Sequence, residues 1–131
     1  MELTARQIGQ CGEIAAARYL RDNDYDIITA NYHTKMGEID IIAMSPDDVM
    51  VFVEVKTRNE DAIANPSEWV TREKQNKIIA TALAFVKAYK YDRTSRFDVI
   101  EVFIKKGGNH NNAKINHIKN AFTTDNFYAN I

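Results

Sequence analysis

The segment VMVFVEVKT, residues Val49–Thr57, gives the clearest indication of architecture in the chain. Its apolar residues fall on both faces of an extended strand and are mostly β-branched or aromatic, which is typical of a strand buried at the centre of a sheet. Two charged residues, Glu54 and Lys56, interrupt this pattern. Because residues two apart share a strand face, their side chains point the same way and Val55 points the opposite way.

The residues before this strand predict a helix followed by two further strands. Thr4-x-x-Gln7 has the form of a capping box that opens the helix, and the run Asp22-Asn23-Asp24 ends it. Strands are predicted over Tyr25–Tyr32 and Glu38–Met44. The residues expected to form the buried stripe of the helix are Ile8, Cys11, Gly12, Ala15 and Tyr19.

The residues after the central strand predict a long helix and two more strands. The helix is expected over Ser67–Tyr89, with Thr71 as an alternative start. Arg96–Ile104 follows as a strand, and the order strand, helix, strand places it parallel to a neighbour. Lys114–Ile118 is predicted as an edge strand, followed by a tail that contains Phe122.

Together these elements predict an α/β fold with a mixed central sheet of about five strands, in the order α-β-β-β-α-β-β. A chain of 131 residues has the length of one domain, which is expected to span residues 1–131. The single cysteine, Cys11, excludes an internal disulfide and a multi-cysteine zinc site, and its place on the apolar stripe predicts a buried, inert thiol.

The composition excludes several classes of protein. Hydrophobic residues make up 45% and charged residues 27% of the chain, as in ordinary globular domains. No apolar run approaches the roughly 20 residues that cross a bilayer, and no signal-peptide core follows Met1. The protein is therefore expected to be cytoplasmic, without a membrane partner.

Charge is divided unevenly along the chain. Residues 1–55 carry 4 Lys/Arg and 10 Asp/Glu, a net of −6, and residues 56–131 carry 13 and 8, a net of +5. This division fits an acidic half that holds metal beside a basic half that faces phosphates, although an uneven spread of solvated charge explains it equally well. The overall net charge of −1 argues against a broadly basic nucleic-acid binder.

Two carboxylates stand where strand chemistry favours apolar side chains. Glu54 lies within Val-Phe-Val-Glu-Val, and Asp40 lies within Ile-Asp-Ile-Ile. An unpartnered carboxylate inside a protein costs several kcal/mol, so a cation is expected beside them. A divalent ion suits oxygen ligands, and magnesium in particular binds through a few carboxylates and waters.

The register of the hairpin decides whether these two carboxylates meet. If the numbers of paired residues sum to 94, Asp40 lies directly opposite Glu54, with the two Cβ atoms about 5 Å apart. This register requires a loop with an odd number of residues, such as Ser45–Val49. A four-residue loop, Ser45–Asp48, would place the carboxylates on opposite faces of the sheet. The hypothesis of a shared metal site therefore excludes the four-residue loop.

Two further residues are candidates for the same site. Lys56 lies one pleat beyond Glu54, where an ammonium can orient an attacking water or stabilise charge on a phosphate. Glu13 lies at the border of the apolar stripe of the first helix and can supply a third carboxylate, directly or through water. The competing interpretation of Glu-x-Lys on a strand is an ordinary solvated ion pair.

Several segments spread over nearly the whole chain form a recognisable pattern. They are Gly9-x-x-Gly12-Glu13-x-x-Ala16, Tyr19-Leu20, Asn31-Tyr32, Gly37-Glu38-Ile39-Asp40, Val51–Arg58, Pro66, Lys74-x-x-Lys77-Ile78, Arg96–Ile100 and Ile115-x-His117-Ile118-x-Asn120-Ala121-Phe122. In these segments the chain resembles the YraN family of small bacterial proteins. His33 departs from the pattern, which has an arginine there, and this weakens any phosphate contact at that position.

The resemblance implies both a fold and an activity. The family is similar to the restriction-endonuclease-like superfold, and its nearest functional relatives by pattern are archaeal Holliday-junction resolvases. Those enzymes use a helix glutamate, a strand aspartate and a Glu-x-Lys strand to bind magnesium and cut DNA. The resemblance thus implies four catalytic residues: Glu13, Asp40, Glu54 and Lys56. The three acidic residues among them are also implied as metal ligands.

Three basic residues are candidates for binding the nucleic-acid backbone. Arg58, Lys74 and Lys77 could hold phosphates at the rim of the site, each contributing little alone. A solvated helix face explains Lys74 and Lys77 nearly as well.

Other polar residues are expected to have structural roles. Glu38 is a candidate partner of the metal site, and Arg96 and Asp98 are a candidate ion pair that supports it, but a structural interpretation is favoured for all three. The histidines lack the spacing of a metal site and are expected to be ordinary polar residues: His33, His110 and His117.

These observations support three functional hypotheses. The first is a Mg²⁺- or Mn²⁺-dependent endonuclease that hydrolyses phosphodiester bonds in DNA, particularly branched or structured DNA. A branched substrate with two-fold symmetry would favour a homodimer, by analogy. The second is a non-catalytic module on the same fold that binds nucleic acid or protein, supported by the mild net charge and opposed by the intact acidic set. The third is cleavage of RNA by the same site.

Overall fold

A five-stranded mixed sheet with one helix on each face forms the described part of the molecule. The computed structural model describes residues 3–59 and 70–124. The elements are helix α1 (Ala5–Asp22), strands β1 (Asp26–Thr34), β2 (Gly37–Met44) and β3 (Met50–Asn59), helix α2 (Arg72–Tyr89), and strands β4 (Ser95–Ile104) and β5 (Lys114–Phe122). The strands lie in the order β1-β2-β3-β4-β5. The predicted α/β class and element order are confirmed.

Strand β3 lies at the centre of the sheet, as its apolar sequence predicts. Its neighbours are β2, which is antiparallel to it, and β4, which is parallel to it. Met50 and Phe52 point into the core beneath α2, whereas Val51 and Val53 point into the core beneath α1. The strand is therefore apolar on both faces because each face is covered by a helix.

The helices begin and end where local signals place them. For α2 the alternative start is the correct one, because Val70 is not helical and Thr71 is the N-cap. Thr4 and Gln7 form the capping box of α1, and the side chain of Thr71 accepts a hydrogen bond at the start of α2. Residues 67–69, part of the longer helix predicted, lie outside the described residues. Within the described part of the chain, no helix is both long and apolar enough to cross a bilayer.

The predicted buried stripe of α1 is wrong at its first residue. Ile8 is 37% exposed, whereas Gly12 and Ala15 are buried. The first buried residue of α1 is Gly12, and Ile8 instead lines a surface cleft together with Thr57 and Ile104. Cys11 is half-buried rather than buried and packs beside the core beneath α1.

Strand β5 is longer than predicted because a bulge lets it continue past Ile118. Phe97 pairs with Phe122 and Val99 with Ile118, so a step of two positions along β4 faces a step of four positions along β5. Asn120 lies within this bulge with a φ of 54°, a left-handed conformation that asparagine tolerates. Phe122, predicted to lie in a tail, is thereby buried beside Phe97 in the core beneath α2.

Gly12 allows α1 to approach β3 closely. A Cβ atom built on Gly12 would lie 1.8 Å from Oγ1 and 2.9 Å from Cβ of Thr57. Thr57 is β-branched and on the central part of the sheet, so it cannot move away without moving β3. The absence of a side chain at position 12 therefore sets the distance between helix and sheet.

We expect Gly12→Ala to lower the free energy of unfolding by about 1–3 kcal/mol, because the added methyl group overpacks the contact with Thr57. Gly9→Ala is a matched control, since a Cβ there meets nothing within 4 Å. The control should gain up to about 1 kcal/mol from helix propensity. Urea unfolding followed by circular dichroism measures both, and equal stabilisation of the two variants would contradict the close contact.

Candidate metal-binding site

The hairpin of β2 and β3 adopts the register that brings the two predicted carboxylates together. Paired residues run from Met44 opposite Met50 to Ile41 opposite Val53, so their numbers sum to 94. The loop between the strands is the five-residue segment 45–49. The predicted odd loop is confirmed, and the pairing of the two strands ends one residue short of Asp40 and Glu54.

Asp40 lies at the point where β2 and β3 stop pairing. Beyond Ile41 and Val53, β2 continues beside β1 and β3 continues beside β4. The Asp40 Oδ2 atom accepts a hydrogen bond of 2.8 Å from the backbone N–H of Val55. Where the two strands separate, the carboxylate thus accepts a backbone hydrogen bond in place of a carbonyl group of β2. This bond fixes the position of the Asp40 side chain against β3.

Burial and neighbouring carboxylates raise the pKa of two carboxyl groups in this cluster, Asp40 and Glu13. Burial and the charge of Glu54 raise the pKa of Asp40 to about 7, although the bond from Val55 acts in the opposite direction. Burial raises the pKa of Glu13 as well, and the charges of Glu38 and Glu54 add to this effect. Glu13 is therefore electrostatically part of the cluster, which carries a surplus of negative charge.

Two lysines contact the buried carboxylate of Glu54, which is only 5% exposed. Lys74 Nζ lies 2.6 Å from Glu54 Oε1, and Lys56 Nζ lies 3.7 Å from the same oxygen. Burial and the neighbouring charge of Lys74 lower the pKa of Lys56. Burial alone would lower the pKa of Lys74 too, but its bond to Glu54 outweighs this and raises it.

The donor chemistry of the cluster fits a hard divalent cation. Carboxylate oxygens are the ligands that Mg²⁺ and Mn²⁺ prefer, and a dication would neutralise the repulsion that raises the pKa of Asp40. In the side-chain arrangement observed, however, no three Asp, Glu, His or Cys side chains among residues 3–59 and 70–124 converge closely enough to hold an ion.

The predicted backbone-binding residues occupy three different settings. Lys74 lies within the carboxylate cluster instead of at its rim. Arg58 forms a 2.8 Å ion pair with the buried carboxylate of Glu101. Lys77 is 59% exposed and lies 3.7 Å from Glu73 on the same helix. Their roles in binding nucleic acid stay predictions.

Arg96 and Asp98 form the predicted ion pair on the opposite face of the sheet, within a larger buried network. Asp98 is fully buried, and its carboxylate accepts hydrogen bonds from Arg96 Nε at 3.0 Å and from the N–H of Asn120 at 2.9 Å. Its other oxygen lies 2.7 Å from His117 Nε2. Burial alone would raise the pKa of Asp98, but these hydrogen bonds hold it below its usual value.

His117 is therefore more than the ordinary polar residue that its sequence suggests. Its other ring nitrogen lies 2.9 Å from the hydroxyl of Tyr19, and the Arg96 guanidinium donates a 2.6 Å hydrogen bond to the hydroxyl of Tyr25. The network ties α1, β4 and β5 together beneath the sheet. This placement favours a structural role for Arg96 and Asp98.

Comparison with known proteins identifies relatives over nearly the whole chain. Residues 12–102 match the family model described as "Uncharacterised protein family UPF0102". A UPF0102 protein from Alkaliphilus oremlandii is 44% identical over 121 residues, covering 89% of this chain and 98% of the relative. A UPF0102 protein from Syntrophomonas wolfei is 39% identical over 118 residues, with the same coverage of 89% and 98%.

We expect the stability of the protein to fall as Asp40 ionises. Its pKa is about 7 in the folded protein and about 3.9 in an unfolded chain. The stability contributed by the protonated form is thus present below pH ~4 and lost as the pH rises through 7. Without divalent ions, the wild type should lose on the order of 2–4 kcal/mol relative to Asp40→Asn between pH 4 and 8.

Urea unfolding at a series of pH values measures this difference. Asp92→Asn, at an exposed position after α2, is the control and should follow the wild type. Parallel curves for the wild type and Asp40→Asn would show that Asp40 does not carry the pH dependence.

We expect His117→Ala to lower the free energy of unfolding by about 2–4 kcal/mol, because it removes a donor from the fully buried Asp98 and leaves a cavity. His33→Ala is the control, since His33 is exposed and contacts the carbonyl oxygen of Asn31. The control should stay within about 0.5 kcal/mol of the wild type. Equal effects of the two substitutions would contradict the network.

Proposed function

This chain belongs to the UPF0102 family of uncharacterised proteins, and we propose that it is a metal-dependent endonuclease that hydrolyses phosphodiester bonds in DNA. The observation that carries the proposal is the register of β2 and β3, which brings Asp40 close enough to the buried Glu54 for their charges to interact. Lys56 Nζ lies 3.7 Å from Glu54 Oε1. Branched or structured DNA is the favoured substrate, because the pattern of the chain resembles that of junction-resolving enzymes.

Each residue of the cluster has a distinct role in this reaction. A bound Mg²⁺ or Mn²⁺ would supply a Lewis acid for the phosphate and an activated water as nucleophile. Asp40 and Glu54 would hold the ion, and Glu13 would assist from α1, directly or through water. The Nζ atom of Lys56 stabilises charge developing on the phosphate, and its lowered pKa eases proton exchange with the attacking water.

The second half of the chain provides the positive charge for the DNA backbone. Residues 56–131 carry a net charge of +5, and phosphate contacts by lysine and arginine supply most sequence-independent affinity. Lys77 is the most exposed of the three candidates, whereas Arg58 is held by Glu101. A homodimer would present two such sites to a branched substrate with two-fold symmetry.

A binding module without catalysis is the second candidate function. The observation that favours it is the ion pair between Lys74 and Glu54, which already compensates the buried carboxylate. In this case the carboxylates would be structural, and divalent ions would not change binding.

A panel of linear, flapped and four-way DNA and of RNA, incubated with Mn²⁺, tests the proposal. We expect the wild type to cleave DNA only with metal, and Asp40→Asn, Glu54→Gln and Lys56→Met each to lower the rate by about 100-fold or more. Lys87→Met is the control, because Lys87 is exposed in the last turn of α2 and should leave the rate unchanged.

Three outcomes separate the candidates. Metal-dependent DNA cleavage that is lost in the three variants supports the endonuclease. Preferential cleavage of RNA by the same residues would reassign the substrate. DNA binding that is equal with and without Mn²⁺, with no cleavage of any substrate, would contradict the endonuclease and favour the binding module.

A further inference from the structure

Lys74 occupies a position in the carboxylate cluster that the proposed reaction does not explain. It lies in the first turn of α2, and its Nζ atom is 2.6 Å from Oε1 of Glu54. Lys56 lies on β3 and approaches the same oxygen at 3.7 Å. The shorter contact with Glu54 is therefore made by the lysine on the helix.

The contact with Lys74 disfavours a dication on the same oxygen. Magnesium binds carboxylate oxygens at about 2.0–2.1 Å, so an ammonium on Glu54 Oε1 would lie within a few ångström of the ion and repel it. The metal and Lys74 therefore compete for this oxygen. Only one of the two partners can readily move, because the side chain of Lys74 is 44% exposed and that of Glu54 is 5% exposed.

The protein provides a place into which Lys74 can withdraw. A surface cleft of about 350 Å³ adjoins the cluster and is lined by Lys74 itself, by Glu38 at the start of β2, and by Glu73 and Lys77 on α2. The long side chain of lysine can reorient into this cleft at the cost of little more than side-chain entropy.

We propose that Lys74 is an internal cation that competes with the divalent ion for Glu54, so that metal binding displaces Lys74 into the cleft between β2 and α2. This inference rests on the proposed metal-dependent function. Glu54 keeps a positive partner in both states, which explains how a carboxylate can stay buried on the central strand without metal. The displaced ammonium is then free for a phosphate, so that metal and DNA binding favour each other.

Removing the competing cation should tighten metal binding. We expect Lys74→Met to bind Mn²⁺ more tightly than the wild type, on the order of tenfold, when free Mn²⁺ is measured by electron paramagnetic resonance without DNA. Lys77→Met is the matched control, because it removes the same charge one turn further along α2. The control should change the affinity by about twofold at most, since surface charges are screened. Lys74→Arg keeps the charge and should not tighten binding.

The outcomes distinguish this inference from the proposed function. If the wild type binds Mn²⁺ through Glu54, as judged by loss of binding in Glu54→Gln, and Lys74→Met binds no more tightly than Lys77→Met, the competition is rejected and the metal site stands. If Lys74→Met binds Mn²⁺ and the wild type does not, the competition is supported and the metal-dependent activity of the wild type is rejected. If neither binds, both are rejected.

A second measurement does not depend on the folding of a variant. In a crystal structure of the wild type loaded with Mn²⁺, Lys74 Nζ should lie beyond ion-pair distance of Glu54. A loaded structure that retains the 2.6 Å contact would overturn the proposal. Circular dichroism should confirm that Lys74→Met retains its helix and strand content before its affinity is compared.

Discussion

The charge of Glu54 must be balanced inside the protein, because the carboxylate is 5% exposed on the central strand of the sheet. An isolated buried charge costs far more than a surface ion pair returns, so the surrounding elements have to deliver cations to it. α2 delivers Lys74 from its first turn, and β3 itself delivers Lys56. Further along β3, the buried Glu101 of β4 is balanced in the same way by Arg58. The face of the sheet beneath α2 thus carries both an aromatic core and two buried carboxylates that are paired with cations.

The parts of the fold that could be predicted from the sequence are those fixed by parity along a strand. The apolar residues on both faces of β3 predict its central place, and the alternation of Glu54, Val55 and Lys56 predicts which side chains share a face. Parity together with the hypothesis of a shared metal site predicts the odd loop of the hairpin, because only a loop of odd length puts Asp40 and Glu54 on one face. The parallel pairing of β4 with β3 follows from the crossover connection that α2 makes between the two strands.

The parts that could not be predicted depend on contacts between elements far apart in the chain. Lys74 lies beside Glu54 because of where α2 begins above the sheet, which no local pattern specifies. One signal was available: Thr71-x-x-Lys74 places a lysine where a capping box has Glu or Gln, and where the helix dipole disfavours positive charge. His117 meets Asp98 because the register of β4 and β5 sets His117 opposite Ile100, and the sequence carries no comparable signal for that register.

The close contact between Gly12 and Thr57 has a consequence for chemistry as well as for packing. Glu13 is the next residue of α1, so the spacing that Gly12 permits between helix and sheet also determines how far the Glu13 carboxylate reaches toward Glu54. A larger residue at position 12 would lift the helix and carry Glu13 outward with it. A substitution at Gly12, which has no side chain and lies across the sheet from Glu54, can therefore change the electrostatic interactions of the acidic cluster.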